Sequence, residues 1–374
     1  MRGKNLLVFL GGIVAYLGII GYVRMSNDRT IEKRDYQVWR EDYIKNQSES
    51  EQYVNAAGKN KTPFALSEAQ GYGMLLAVKA GQKHLGSQTD FQKLDNYYLS
   101  HRLSNSNLMS WRQENKKGSL QDNPVSASDG DMMIAQALLE ADKVWPGHGY
   151  KAQALKLITD IKNLESNRSA KIITVGNWAS KKSHFYNVMR TSDVMPQAFE
   201  EFYQATGDRS WLKLKSQMLT YLQQLSSQHK TGLVPDFAWI SKQKQASPVK
   251  PNDVATKDDG NYSANACRVP MLLAASDDKE ANNIVKKMLS FFKQKEEISS
   301  GFTLSGKTLY PYESASFSAP IFVAASKYQN EGYGTLVEHE KYIFSRPLPA
   351  NNYYDATLIV LAALNTNELT GLEK

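Results

Sequence analysis

Apolar residues recur at spacings of three and four through most of this chain, and that periodicity constrains its fold more than any other feature. It runs through Phe91-Leu94-Tyr97-Tyr98, Met132-Met133-Ala135-Leu138-Leu139 and Ala154-Leu155-Leu157-Ile158-Ile161. It returns in Leu212-Leu214-Met218-Leu219-Leu222, Ile284-Val285-Met288-Leu289-Phe292 and Thr357-Val360-Leu361-Leu364. Ser128-Asp129 precedes the second of these runs, Asp208 precedes the fourth, and Trp145-Pro146-Gly147 stops a helix. Strand signals are few; Ile172-Ile173-Thr174-Val175 is the clearest. No low-complexity tract, Pro/Gly/Ser linker or sequence repeat divides the chain after its first residues, so the pattern predicts one all-α domain over residues 35–374. Helices spread over that length exceed a simple bundle and suit a closed ring of helix pairs or a helical solenoid. With 41% apolar and 22% charged residues in 374, the chain can bury a core of that size.

The N-terminus reads differently. Leu6 to Val23 is an uncharged run of 18 residues between Arg2/Lys4 and Arg24. A membrane-spanning helix needs about 17–25 residues. A cleaved signal peptide has an apolar region of about 7–15 residues and ends at a small-residue site; this run ends Gly21-Tyr22-Val23-Arg24-Met25, without one. The expectation is a single transmembrane helix over residues 1–24 serving as a signal anchor, then a polar tether over residues 25–34. The Arg2/Lys4 side would be inside and the folded domain extracytoplasmic, with secretion after cleavage as the alternative.

Charge and motifs exclude several functions. The chain has 45 basic and 38 acidic residues, with no basic stripe, so nucleic acid is not an expected partner. Cys267 is the lone cysteine, and the six histidines show neither i,i+4 pairing nor H-E-x-x-H, so no metal or cofactor is expected. Gly301 to Thr308 matches the P-loop pattern by letters, but a polar helix end precedes it and Pro311 follows, so no nucleotide is expected either.

Two carboxylate segments stand out: Leu66-Ser67-Glu68-Ala69-Gln70-Gly71-Tyr72-Gly73-Met74, and Ser126-Ala127-Ser128-Asp129-Gly130-Asp131 leading into a helix. Read as local structure, Glu68 is a carboxylate at a helix N-terminus and Asp129 an N-cap. An Asp-x-Asp pair also holds metal and nucleotide sugar in α/β glycosyltransferases, a class that the helical periodicity does not support.

The stretch Ala127 to Trp145 reaches further than a cap. It resembles, over 19 residues, the signature of glycoside hydrolase family 8. The Glu68 segment is similar to that family's S-E-G-Q-G-Y-G-M, with Ala69 for the usual Gly. Leu108-Met109-Ser110-Trp111, Arg190 to Pro196, Thr231 to Phe237, Asn265 to Pro270 and Asn352-Tyr353-Tyr354-Asp355 follow in the family's order.

The resemblance implies an (α/α)6 barrel, a toroid of six helical hairpins, and inverting endo-hydrolysis of a β-linked polysaccharide. It assigns Glu68 as general acid and Asp129 as the carboxylate beside the reacting sugar. It makes Tyr72 and Trp111 candidate sugar platforms, and Asp193, Asn265 and Arg268 candidate substrate contacts. The general base is the departure. Where one subgroup has Asp, this chain has Asn265; where the other places a Glu on an upstream loop, residues 250–260 offer Asp253, Asp258 and Asp259. Asp258 is taken as the base, with Asp253 or Asp259 as alternatives. The segments around Arg190 and Asn265 resemble the chitosanase and mixed-linkage glucanase subgroup. A chain with no working base would instead be a carbohydrate-binding pseudoenzyme of the same fold.

Overall fold

The computed structural model describes residues 16, 30–58, 61–116, 119–366 and 369. Among these, helices alternate between an inner and an outer ring. The inner ring is α2 (Ser67–Gln82), α4 (Ser128–Val144), α6 (Pro196–Thr206), α8 (Val269–Ala274), α10 (Ala315–Lys327) and α12 (Tyr353–Asn365). The outer ring is α1 (residues 30–43), α3 (Gln88–Ser100), α5 (Tyr150–Leu164), α7 (Ser210–Ser227), α9 (Lys279–Phe292) and α11 (Gly334–Glu340). Each inner helix packs on the next and α12 returns to α2, so the ring closes. This is the expected (α/α)6 architecture rather than an open solenoid.

The six periodic runs of the sequence fall in α3, α4, α5, α7, α9 and α12. Helix starts carry side-chain acceptors in several places, Asp208 being the one expected from sequence. Ser87 and Asp90 form a capping box on α3, Asp278 accepts from the Glu280 and Ala281 amides of α9, and Asp208 accepts from the Ser210 amide at 2.9 Å. Ile172–Val175 is strand only at Ile172–Ile173. Gly301 to Thr308 forms a turn with a Phe302–Thr308 bridge and opens no helix, so it lacks the strand–loop–helix frame of a phosphate-binding loop.

Connections at the two mouths of the barrel differ. Those leaving the C-terminal ends of inner helices are short. Those returning to the N-terminal ends are long and hold the strands: β1 (Ile44–Asn46) with β2 (Gln52–Val54), the sheet β3 (Phe64–Leu66), β4 (Arg112–Lys116) and β5 (Ser119–Asp122), the pair β6 (Ser166–Asn167) and β7 (Ile172–Ile173), and the sheet β8 (Val188–Arg190), β9 (Phe237–Ile240) and β10 (Ala246–Pro248). The irregular segments therefore gather at one mouth.

Two glycines set the closest approach in the ring. A Cβ on Gly130 would lie 2.3 Å from Ser67 Oγ and 2.5 Å from the Ser67 carbonyl carbon, and one on Gly71 would lie 2.8 Å from Met133 Cβ. The N-terminal turns of α2 and α4 thus touch backbone to backbone.

Residues 30–34, read from sequence as the end of a tether, are helical, with Ile31 and Glu32 buried. Glu32 pairs with Lys83 just past the C-terminal end of α2, and Arg34 donates to Phe344 O at 3.0 Å. The other end of α1 reaches the opposite mouth, where the Tyr43 hydroxyl donates to Pro349 O. Midway, Trp39 Nε1 donates to Thr357 Oγ1 of α12 at 2.9 Å. Among the described residues no helix is long and apolar enough to cross a membrane; the run over residues 6–23 lies outside them, Tyr16 excepted.

Candidate active site

Glu68 and Asp129 are each the second residue of their helix, α2 and α4, and each follows a serine. Neither is a cap. The N-cap positions are Leu66 and Ala127, without side-chain cap bonds. Asp129, read from sequence as an N-cap, lies inside the helix because α4 starts one residue earlier, at Ser128; its Oδ1 accepts from the Gly130 amide at 3.0 Å. The contact at Gly130 brings the two carboxyl groups together at the mouth carrying the long connections.

Arg268 joins them. It ends a single 3-10 turn, Ala266–Arg268, and is buried. Its Nη1 donates to Glu68 Oε1 at 2.7 Å and to Asp129 Oδ2 at 3.3 Å, so those two oxygens are within about 6 Å of each other. Its Nη2 donates to Asp129 Oδ2 at 3.3 Å, Ser192 Oγ at 2.7 Å and Asn265 Oδ1 at 3.2 Å. Arg190 adds a second guanidinium, with Nη1 2.5 Å from Asp129 Oδ2 and 3.4 Å from Asp193 Oδ1. Tyr353, at the start of α12, donates its hydroxyl to Glu68 Oε2 at 2.6 Å.

The two carboxyl groups are driven apart in acidity. Burial dominates at Glu68 and raises its pKa; the attraction of Arg268 opposes this without cancelling it, and the nearby Asp129 charge adds to the rise. Burial also works to raise Asp129, but the charges of Arg190 and Arg268 outweigh it and hold that carboxyl below its ordinary value. One group is thus pushed towards its protonated form and the other towards its ionised form, the direction of separation that an acid and a charge-stabilising partner need.

The remaining candidates divide. Asn265 is oriented by Asp236, which accepts from the amides of Ser263, Asn265 and Ala266 and from Asn265 Nδ2 at 3.3 Å. Through Asn265, Asp236 therefore fixes the turn that presents Arg268. Trp111 is partly exposed, its carbonyl accepting from the Ser67 amide beside Glu68 at 3.0 Å. Tyr72, a candidate platform, is 2% exposed and packs beside Arg268, which places it behind the site rather than on its open face. Asp193, a candidate substrate contact, is fully buried, with Ser128 Oγ donating to Oδ2 at 3.1 Å and Arg190 on Oδ1. Burial raises it to about 7.

The three loop aspartates also separate. Asp259 is fully buried and accepts from the amides of Val254, Ala255 and Thr256, so its carboxylate is the hub of its own loop. Asp253 Oδ2 accepts from Trp239 Nε1 at 3.1 Å and from the Lys250 amide at 3.0 Å. Asp258 is half-buried, and its Oδ2 accepts from the Tyr310 hydroxyl at 2.5 Å. Among the described residues no group of three or more His, Cys, Asp or Glu is arranged to hold a metal ion.

Sequence reasoning assigned no role to Arg190, Tyr353 or Asp236. Each lay within a segment similar to the family, but nothing local to it indicated a contact with residues tens to hundreds of positions away.

Paired carboxyl groups of separated acidity are what hydrolysis of a glycosidic bond requires, and on this ring of hairpins they define a glycoside hydrolase. Comparison with known proteins narrows the class. Residues 13–368 match the family described as Glycosyl hydrolases family 8, and the chain belongs to it. A β-glucanase of Niallia circulans is 32% identical over 308 residues, covering 78% of this chain and 74% of that protein. An endoglucanase of Bacillus sp. strain KSM-330 is 27% identical over 89% of this chain and 77% of its own length. Among solved structures, the apo β-1,3-1,4-glucanase of Paenibacillus sp. X4 superposes with a TM-score of 0.81 at 28% identity, over 91% of this chain and 93% of that one.

Proposed function

We propose that this chain is an inverting endo-β-glycanase that cuts internal bonds of a cell-surface or extracellular polysaccharide. The observation that carries this reading is the pair Glu68 and Asp129 on one buried guanidinium, one raised and the other lowered in pKa. Glu68 is the general acid that protonates the leaving oxygen. Asp129 orients and stabilises the distorted sugar ring. Their oxygens are closer than the roughly 6.5–9.5 Å that an inverting acid and base need to admit a water between them, so the base is a third carboxylate. Asp258 is that base: Asp259 is committed to loop amides and Asp253 to Trp239, whereas Asp258 meets a phenol. Trp111 stacks on a sugar beside the acid.

Mixed-linkage β-glucan is the first substrate to try, because the relatives include a β-glucanase and a β-1,3-1,4-glucanase. Chitosan and cellulose-like chains follow. The apolar run over residues 6–23 tethers the enzyme to the cell membrane with its barrel outside.

The test is reducing-end release by the purified enzyme from mixed-linkage β-glucan, chitosan, carboxymethyl-cellulose and xylan, with Glu68→Gln in parallel. Release from one polymer, reduced about 10²–10⁴-fold in the variant, is the expected result. Binding without release from any of the four would favour the pseudoenzyme reading, which the loop's lack of a Glu supports.

A further inference from the structure

Behind Asp129 lie two more carboxyl groups that the reaction does not use, Asp131 in the first turn of α4 and Glu165 just past the C-terminal end of α5. Both are fully buried. Each has one oxygen engaged by a neutral donor. Met109 N donates to Asp131 Oδ1 at 2.7 Å, and Ser126 Oγ donates to Glu165 Oε1 at 2.6 Å. Each has its other oxygen, Asp131 Oδ2 and Glu165 Oε2, buried with no donor. The two side chains are close neighbours, and each acts on the other's acidity. Two carboxylates cannot hydrogen bond, and two neighbouring buried carboxyl groups, each with a donorless oxygen, cannot both carry charge without a large penalty. A proton between them removes both problems at once.

We propose that Asp131 and Glu165 share a proton across these two oxygens, and that this carboxylic acid–carboxylate contact is the positioning element that holds the first turn of α4, and so Asp129, in place. The contact spans the active-site segment. Glu165 grips Ser126, Asp131 grips the Leu108–Trp111 segment through Met109, and Asp129 lies between residues 126 and 131. The charged and titratable groups around the pair are Asp129 on α4, Asp193 on the 3-10 turn after β8, Arg190, and Tyr98 of α3, whose own neighbours include Arg102, Asp95 and Asp160. Arg190 Nη1 is engaged by Asp129 and Asp193, and among the described residues no salt bridge reaches Asp131 or Glu165. Proton uptake is the remaining way to neutralise it. In keeping with this, burial pushes Glu165 up to about 8 and Asp131 well above the carboxylate range.

The proposal rests on Asp129 acting in the reaction, but the pair can be tested without substrate. Glu165→Gln replaces the shared proton with a permanent amide donor to Asp131 Oδ2. A carboxyl pair whose folded pKa is raised holds protons that the unfolded chain has released. Wild-type stability therefore declines as pH rises from the ordinary carboxylate range to about 8, and the variant escapes that decline. The melting temperature of Glu165→Gln minus that of wild type should rise steadily between pH 5 and 8.5. Amide exchange in a peptide covering residues 126–134 should become faster in wild type than in the variant over the same range. The ratio of kcat, variant over wild type, should climb with pH; titration of Glu68 is common to both and cancels. An offset in melting that does not change with pH would overturn the shared proton. A rising offset with unchanged exchange and a flat kcat ratio would overturn the positioning role. If Glu165→Gln does not fold, Asp131→Asn poses the same question, because its Nδ2 donates to Glu165 Oε2 while its Oδ1 still accepts from Met109. A chain that cut no polymer would refute the hydrolase reading, while melting and exchange still decided the pair.

Discussion

The Tyr353 hydroxyl donates to Glu68 Oε2 at 2.6 Å, joining the first turn of the last inner helix to the first turn of the first across 285 positions of sequence. A hydrogen bond of this kind favours the carboxylate and so lowers the pKa of Glu68 against the larger effect of burial. Tyr353→Phe removes it. The acid then stays protonated to higher pH, and the alkaline limb of kcat/KM should move up by as much as about one unit. A limb that stays in place or moves down would show that Tyr353 does not act on Glu68.

The base assignment separates three residues only a few positions apart. Asp258→Asn should lower kcat by about 10²–10⁴-fold with the fold intact. Asp253→Asn should cost far less in turnover. Asp259→Asn should destabilise the loop, because its carboxylate collects three amides. NMR of the fresh product should show the α-anomer first, the outcome of single inversion at a β-bond. A β-anomer would turn Asp129 into a nucleophile and remove the need for Asp258.

Gly130 is where the helices that carry Glu68 and Asp129 touch. Gly130→Ala places a methyl group 2.3 Å from Ser67 Oγ. Overpacking should cost about 1–3 kcal/mol, and a shift of about 1 Å between Glu68 and Asp129 costs turnover about 10²-fold. Denaturant unfolding and kcat on the same preparation check both. Wild-type turnover in a stable variant would show that α2 and α4 have slack at this contact.

A fragment beginning at residue 25 should be more stable than one beginning at residue 35. The shorter fragment loses buried Ile31, the Glu32–Lys83 pair and the bond from Arg34 to Phe344 O. Burial of one such aliphatic side chain stabilises by about 1.5–3 kcal/mol. Equal melting temperatures would mean that the first turn of α1 contributes nothing.

What was legible in the sequence follows from what each ring touches. Outer helices such as α9 bury one stripe, Ala281-Ile284-Val285-Met288-Leu289-Phe292, and show it as periodicity. Inner helices such as α2 and α10 are buried on nearly every side, so no stripe distinguishes them, and α10 carries Pro320 within. The same holds at the site. Glu68 and Asp129 stood out because their neighbours in sequence resemble a known pattern. Arg190, Tyr353 and Glu165 act on partners from distant segments, and nothing local to them predicts a buried ion pair or a shared proton. Asp193 shows the converse error: an acidic residue that looked available for substrate has both oxygens taken inside the fold.

The path of α1 gives the molecule a direction. The first described turn of α1 lies beside Lys83, at the end where inner helices finish, and the helix reaches the end where they begin only at Tyr43. Glu68 and Asp129 open at that second end. An anchor on residues 1–24, as proposed above, would join the barrel through the end of α1 opposite the mouth where Glu68 and Asp129 open. An enzyme fixed this way would work on polymer arriving from its surroundings, and strands lying flat beneath its own attachment point would be out of reach.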